Sequence, residues 1–137
     1  MRRAAVAALA TLVAGCGGGE SPEDAARATV QRYLTALGRG DAAAACREFT
    51  AQSRQKLAEF GERQLRLRPG SCAKTIDAAL HAPNGPQLRR LGNAKIARVV
   101  VTGDRAEVSI AGVGQRTQVV KADGAWRIDS EPTGETD

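Results

Sequence analysis

The spacing of apolar residues changes once along this chain, near Ala94, and this change constrains the fold more than any other feature. Before it, apolar side chains recur every three or four residues, which is the period of a helix with one buried side. After it, β-branched residues alternate with polar ones, as in a strand with one buried face. Helices followed by strands predict an α+β fold, with helices packed on one face of an antiparallel sheet.

Four helices are predicted, each beginning after a residue whose side chain can cap the helix N-terminus. These residues are Ser21, Asp41, Thr50 and Ser71. Pro22 supports the first start, because proline is favoured at the first helical position. Gly61 is expected to end the third helix, since glycine is favoured just after a helix. A short helical turn is expected at residues 87–91.

Four strands are predicted after the change of period. They cover residues 95–102, 105–111, 115–121 and 125–129. Asp123 and Gly124 give the strongest hairpin signal, between the last two strands. In the last strand we expect Trp126 and Ile128 to face the core. The polar residues 131–137 are expected to form a disordered tail.

The first fifteen residues have the organisation of a secretory signal peptide. Arg2 and Arg3 precede eleven residues, 4–14, that are apolar except for Thr11. A helix of that length is too short to cross a bilayer, which needs about 20 residues. Its length and basic flank are those of a signal peptide. We therefore predict that residues 1–15 are a signal peptide removed on export.

The segment Val13-Ala14-Gly15-Cys16 resembles the lipobox of bacterial lipoproteins. That resemblance implies cleavage before Cys16, attachment of a diacylglyceryl group to its thiol, and acylation with chains such as palmitate. Two acyl chains hold a protein stably on a bilayer. Residues 16–20 would then be the lipidated N-terminus and a flexible tether on the extracytoplasmic side of the cell membrane. The alternative is an ordinary signal peptide followed by a chance cysteine.

The three cysteines of the chain are consistent with that location. If Cys16 carries lipid, Cys46 and Cys72 remain, and two thiols on apolar helical faces outside the cytoplasm tend to oxidise. We predict a Cys46–Cys72 disulfide, worth roughly 3 kcal/mol in the chain-entropy account. The alternative is two separate buried thiols. A metal site is not expected, because His81 is the only histidine and no Cys-x-x-Cys occurs.

Two segments, together with the run of strands that follows a helical middle, resemble the NTF2-like superfamily, the cone-shaped α+β fold of small polyketide cyclases and ketosteroid isomerases. One is residues 33–41, YLTALGRGD, where a Gly-Asp pair leads from a long helix into an Ala-rich one. The other is residues 119–129, VVKADGAWRID, which form a closing hairpin. The resemblance covers about residues 21–130. It implies a curved antiparallel sheet with a pocket between the sheet and the helices.

The resemblance makes Tyr33 and Trp126 candidate ligand-binding residues. The alternative for Tyr33 is a core residue with its hydroxyl at the rim. Family enzymes place an acid or base opposite a hydrogen-bond donor, but none of their catalytic residues can be assigned in this sequence. We therefore expect no catalytic residues and no cofactor.

The leading hypothesis is a non-enzymatic, membrane-anchored domain that binds a small apolar ligand or a protein partner at the cell envelope. The alternatives are an isomerase or cyclase, and a structural interaction module whose cavity is filled by side chains. A homodimer formed through the sheets would be indicated by exposed apolar positions such as Val119 or Val99. Nucleic acid is not an expected partner, because the predicted compartment lacks it and only four residues are aromatic. The net charge of +5 also falls to a mild +3, from 18 basic and 15 acidic residues, once Arg2 and Arg3 leave with the signal peptide.

A basic segment lies between the third and fourth predicted helices. Arg63, Arg66 and Arg68 are interleaved there with Leu65 and Leu67. One interpretation is a solvated linker. The other is a contact with anionic lipid headgroups or wall polymer, which a lipid anchor would bring within reach.

Overall fold

A computed structural model describes residues 20–129 and confirms the α+β class. Its helices are α1 (Pro22–Arg39), α2 (Ala42–Arg47), α3 (Ala51–Gln64), α4 (Cys72–His81) and α5 (Gly85–Arg90), followed by a 3-10 turn (Leu91–Asn93). Its strands are β1 (Ile96–Thr102), β2 (Arg105–Ile110), β3 (Arg116–Ala122) and β4 (Ala125–Ile128). The predicted signal peptide at 1–15, Cys16 with most of its tether, and the tail at 131–137 lie outside the described residues.

The helix starts are those that the sequence predicts. At Ser21, Asp41, Thr50 and Ser71 the side-chain oxygen accepts a hydrogen bond of 3.0–3.1 Å from the backbone N–H three residues later. These bonds satisfy N–H groups that the first turn of a helix leaves without partners.

Gly61 corrects one predicted helix end. Helix α3 continues past it to Gln64, and Gly61 is buried within the helix. A methyl group at this position would overlap Thr75 Oγ1 of α4. Glycine is therefore required here by the close approach of two helices, and not by a helix end. Helix α5 also begins earlier than the helical turn expected at residues 87–91, since its first residue is Gly85.

The sheet is an open antiparallel meander in the order β1-β2-β3-β4. Its edge at β4 is partly covered by the segment that joins α2 to α3, since Phe49 forms a parallel bridge with Ile128. The Ile128 N–H donates to the Glu48 carbonyl at 2.7 Å, and the Thr50 N–H donates to the Ile128 carbonyl at 3.0 Å. Covering an edge in this way leaves fewer unpaired backbone groups for other chains.

The core lies between one face of the sheet and the helices. Helix α1 contacts all four strands and buries Val30 and Leu34 completely. Val119 is also completely buried on this face, and Val99, opposite Val108 in the register, is partly buried on the same side. The two valines therefore belong to the core and give no indication of a dimer. As predicted, Trp126 and Ile128 are buried.

A disulfide joins Cys46 at the end of α2 to Cys72 at the start of α4, which confirms the predicted pairing. Their Cα atoms are 6.0 Å apart, and both residues are buried. The bond closes the chain over the α3 segment and fixes α4 against α2. Few large side chains are available for this core, so packing alone stabilises the fold only weakly. A covalent link between two helices adds to that stability.

Candidate functional site: an apolar pocket among the helices

An apolar pocket of about 390 Å³ lies among α1, α3, α4 and α5. Most of its lining is aliphatic or aromatic carbon, and the only polar residues in the lining are Tyr33, Thr75 and Asn84. The larger apolar residues of the lining are Leu37, Leu57, Phe60, Leu65, Ile76 and Leu88. The volume falls in the range of pockets that hold small organic ligands, about 300–1,000 Å³.

Helical spacing brings these residues together. Tyr33 and Leu37 are four residues apart on α1 and therefore point to the same side of that helix. On α4 the lining includes Ala78 and Ala79, and Ala82 follows at its end. Because alanine side chains end at the β-carbon, they leave space that a larger residue would fill. The pocket thus exists where α4 and the residue after it present small side chains.

Tyr33 supplies the polar group of greatest interest in the pocket. Its ring packs edge-to-face on Phe49, with centroids 5.1 Å apart and planes at 85°. Burial raises the pKa of the Tyr33 hydroxyl, because the phenolate is poorly solvated there. Every fully buried side-chain nitrogen or oxygen in residues 20–129 has a partner. The Tyr33 hydroxyl makes no hydrogen bond within those residues, so it keeps access to the space outside the core.

The Thr75 hydroxyl is already engaged. It lies 2.9 Å from the Leu57 carbonyl and 2.9 Å from the Ser71 carbonyl, and both carbonyls compete for its single hydrogen. The Asn84 side chain, at the start of α5, makes no capping bond. A neutral phenol and an amide are therefore the polar groups that this pocket presents to a ligand.

Trp126, the second residue predicted to bind ligand, lies elsewhere. It is not among the residues that line the pocket, and it is buried in β4 between the sheet and α1. Its carbonyl accepts a hydrogen bond of 2.9 Å from Thr29 Oγ1 of α1. The structure therefore brings Tyr33 to the pocket and places Trp126 in the core, where it fixes the last strand to the first helix.

A buried carboxylate that sequence reasoning missed lies on the other side of α1. Glu48 follows α2, and its side chain is only 10% exposed. Arg32 Nε and Nη2 donate to its two oxygens at 2.9 and 3.2 Å, and Arg127 Nη1 lies 3.7 Å from Oε2. No helical or strand period marks Glu48, because it lies between elements. Both oxygens are bonded to a guanidinium, which suits a structural ion pair better than proton transfer.

The remaining candidates are on the surface. His81 Nδ1 lies 2.8 Å from the Asp77 carbonyl on an exposed turn of α4. The basic segment forms a separate concavity, lined by Arg63, Arg66 and Arg68 with Glu62 and Pro69. Between residues 20 and 129 no group of three His, Cys, Asp or Glu side chains is placed to hold a metal ion.

In three comparisons with known proteins, no protein-family model, no curated protein and no solved structure matched the chain. In the part of the chain that the structure describes, no helix is both long enough and apolar enough to cross a bilayer.

Proposed function

We propose that this protein is an extracytoplasmic lipoprotein whose NTF2-like domain, without enzymatic activity, binds a small apolar ligand. The observation that carries the ligand proposal is the pocket of about 390 Å³ with the Tyr33 hydroxyl at its boundary. An apolar molecule bearing one hydrogen-bond acceptor would bury its carbon skeleton there and accept a bond from the phenol. Burial of apolar surface provides the affinity, and the hydroxyl provides orientation.

The proposed membrane anchor is supported by the cysteines and by the start of the chain. Two arginines, an apolar stretch and a lipobox-like segment precede Cys16. The Cys46–Cys72 disulfide leaves Cys16 as the one cysteine without a partner cysteine. A structural disulfide suits a domain that works outside the cytoplasm, where thiols are not kept reduced.

The NTF2-like assignment is supported by the order and position of the elements. The segment 33–41 forms the end of α1 and the cap of α2, and the segment 119–129 covers most of the β3–β4 hairpin. Helices precede a meander and pack on one of its faces, as the family resemblance implies. The sheet has four strands between residues 20 and 129, and it is open. The pocket correspondingly lies among the helices and not inside a closed cone.

The lining of the pocket favours binding over catalysis. An isomerase or cyclase of this family type needs a carboxylate or imidazole facing a donor. The lining contains the donor, Tyr33, but no Asp, Glu or His. The buried Glu48 belongs to the ion pair with Arg32 and is not part of that lining.

Native mass spectrometry of the full-length protein, purified from its own membrane, tests the ligand proposal. We expect an extra mass in the wild type that is absent from Ala78→Phe, which fills the pocket. Ala43→Phe is the matched control, because Ala43 is exposed on α2 and outside the pocket. A bound mass that persists in Ala78→Phe, or no bound mass in any form, would contradict the proposal.

Membrane flotation tests the anchor independently. Cys16→Ala should move the protein from the membrane fraction to the soluble fraction, since no acyl chain can then be attached. Retention of this variant in the membrane fraction would count against the anchor and would leave the ligand proposal intact.

A further inference from the structure

The mouth of the apolar pocket coincides with an exposed apolar surface. Phe60 and Leu65 both line the pocket, yet they are 48% and 41% exposed, more than any other large apolar residue described. Three arginines surround them in the chain, at positions 63, 66 and 68. We call these five residues, Phe60, Arg63, Leu65, Arg66 and Arg68, the docking rim.

The arginines of the docking rim carry unneutralised positive charge. None of the three makes a hydrogen bond or an ion pair with another residue that the structure describes, and all three are exposed. Glu62 lies in the same concavity, but one of its carboxylate oxygens accepts a 3.0 Å hydrogen bond from the Gly70 N–H. Three guanidinium groups against one carboxylate leave this surface positive and able to attract an anionic partner.

We propose that the docking rim binds an anionic phospholipid bilayer, namely the leaflet to which the chain is anchored. The arginines contact headgroup phosphates, and Phe60 and Leu65 enter the interface between headgroups and acyl chains. The pocket then opens toward the bilayer, so an apolar ligand passes between lipid and protein without crossing water. This inference rests on the proposed function for the anchor and for the ligand.

The apolar residues favour a bilayer over a soluble polyanion. A wall polymer would use the arginines but would leave Phe60 and Leu65 in water. The outer face of the sheet provides the contrast within this molecule, since it presents Arg98 and Arg105 with Val100 as its exposed large apolar residue. Both surfaces thus carry arginines and an exposed apolar residue. Among residues 20–129 an exposed aromatic ring, Phe60, occurs only at the docking rim, where it lines the apolar pocket while the arginines line the neighbouring concavity.

The predicted anchor would hold the domain near the bilayer by a short tether. Cys16 is followed by four residues before the N-cap of α1 at Ser21, and five fully extended residues reach at most about 18 Å. From Pro22 to Leu37, which lines the pocket, α1 extends about 22 Å at 1.5 Å per residue. A domain held this close to the bilayer meets its surface at a high effective concentration, so that weak contacts suffice.

Hydrogen–deuterium exchange of the full-length protein in lipid vesicles tests the docking rim. In vesicles containing phosphatidylglycerol, amides of residues 60–68 should exchange at least about fivefold more slowly than in pure phosphatidylcholine, the effect of roughly one arginine contact. The difference should disappear at high salt, because screening weakens the attraction. Equal exchange in the two kinds of vesicle would overturn the proposal.

Three variants separate the alternatives. Arg63→Glu/Arg66→Glu/Arg68→Glu should lose the slower exchange, whereas Lys95→Glu/Arg98→Glu/Arg105→Glu, with the same change of charge on exposed residues elsewhere, should keep it. Phe60→Ser/Leu65→Ser should lose it although every arginine remains. Slower exchange that survives this last change indicates a purely electrostatic site, such as one for wall polymer, and overturns the bilayer proposal.

The failure of this proposal is distinguishable from failure of the proposed function. Flotation and native mass spectrometry report the anchor and the ligand without reference to the docking rim. Loss of the bound mass with unchanged vesicle-dependent exchange contradicts the ligand alone. A bound mass with no vesicle-dependent exchange contradicts the docking rim alone.

Discussion

Arg32 of α1 holds the buried carboxylate of Glu48 through two hydrogen bonds, at 2.9 and 3.2 Å. The same guanidinium donates to Thr29 Oγ1 at 3.2 Å, and that hydroxyl lies 2.9 Å from the Trp126 carbonyl. One polar network therefore connects the first helix, the segment after α2 and the last strand. These three parts are distant in sequence, so the network fixes how the helical and strand halves of the chain meet.

We expect Glu48→Ala to lower the free energy of unfolding by about 2 kcal/mol, because a hydrogen bond to a buried charged group is worth more than a neutral one. Partial exposure of Arg32 keeps the loss below that of a fully buried pair. Urea unfolding followed by circular dichroism measures the change.

Glu107→Ala is the matched control for that measurement. Glu107 also accepts from an arginine, Arg116, at 3.0 Å, but both side chains are well exposed on the outer face of the sheet. Exposed pairs contribute about 0–1 kcal/mol. Equal losses in the two variants would show that burial of Glu48 adds nothing to its interaction.

Local signals in the sequence predicted the elements of this fold well. Capping residues at Ser21 and Thr50 and the strict alternation in β2 each depend on a few neighbouring residues, and the structure has these features where they were predicted. The disulfide could be predicted because the chain has three cysteines and Cys16 lies in the lipobox-like segment, which leaves Cys46 and Cys72 as the candidate pair. The capping and alternation signals act within one turn or one strand, where neighbouring residues determine the geometry.

Apart from the disulfide, features that depend on two distant segments could not be predicted. A glycine such as Gly61 is typical of a helix end, and only the close approach of Thr75 from α4 explains why glycine is needed at this position. Glu48 carries no periodic signal, and its burial depends on Arg32. Tyr33 was predicted as a ligand-binding residue, but the pocket beside it depends on where α4 places its alanines. Tertiary contacts override local preference at each of these positions.

Reduction of the Cys46–Cys72 bond should destabilise the domain by about 3 kcal/mol, because the bond closes a loop with a sequence separation of 26 and restricts the unfolded chain. Urea unfolding with and without dithiothreitol measures this. In Cys46→Ala/Cys72→Ala the reductant should have no effect. A wild-type protein whose stability is unchanged by the reductant, once its thiols are shown to be free, would contradict this account.

Tyr33 should titrate above the ordinary tyrosine pKa of 10.0, because burial disfavours its phenolate. It is the only tyrosine in the chain, so absorbance of tyrosinate reports it alone. The folded state binds this proton more tightly than the unfolded chain does. The associated stability is present below pH 10.0 and is lost as pH rises through the folded-state pKa.

The alkaline loss of stability should therefore be smaller in Tyr33→Phe than in the wild type. The substitution keeps the ring contact with Phe49 and removes only the titrating hydroxyl. Unfolding free energies measured across the alkaline range give the comparison. Parallel pH curves for the two proteins, or tyrosinate formation at the ordinary pKa, would show that the hydroxyl is well solvated.

Gly61→Ala should destabilise the protein by about 1–3 kcal/mol, the usual effect of overpacking a close contact. The added methyl group would overlap Thr75 Oγ1, whose position is fixed by its hydrogen bonds to the carbonyls of Leu57 and Ser71. Separation of α3 from α4 would relieve the overlap and would also widen the pocket beside Thr75.

Gly114→Ala provides the control for this last prediction, since a methyl group there meets no atom within 4 Å. Its stability should stay within about 0.5 kcal/mol of the wild type, as for most surface substitutions. Alanine also favours a helix over glycine by about 1 kcal/mol, so the helix preference alone would make Gly61→Ala stabilising. A stabilised Gly61→Ala protein would mean that the α3–α4 approach is looser than these contacts require.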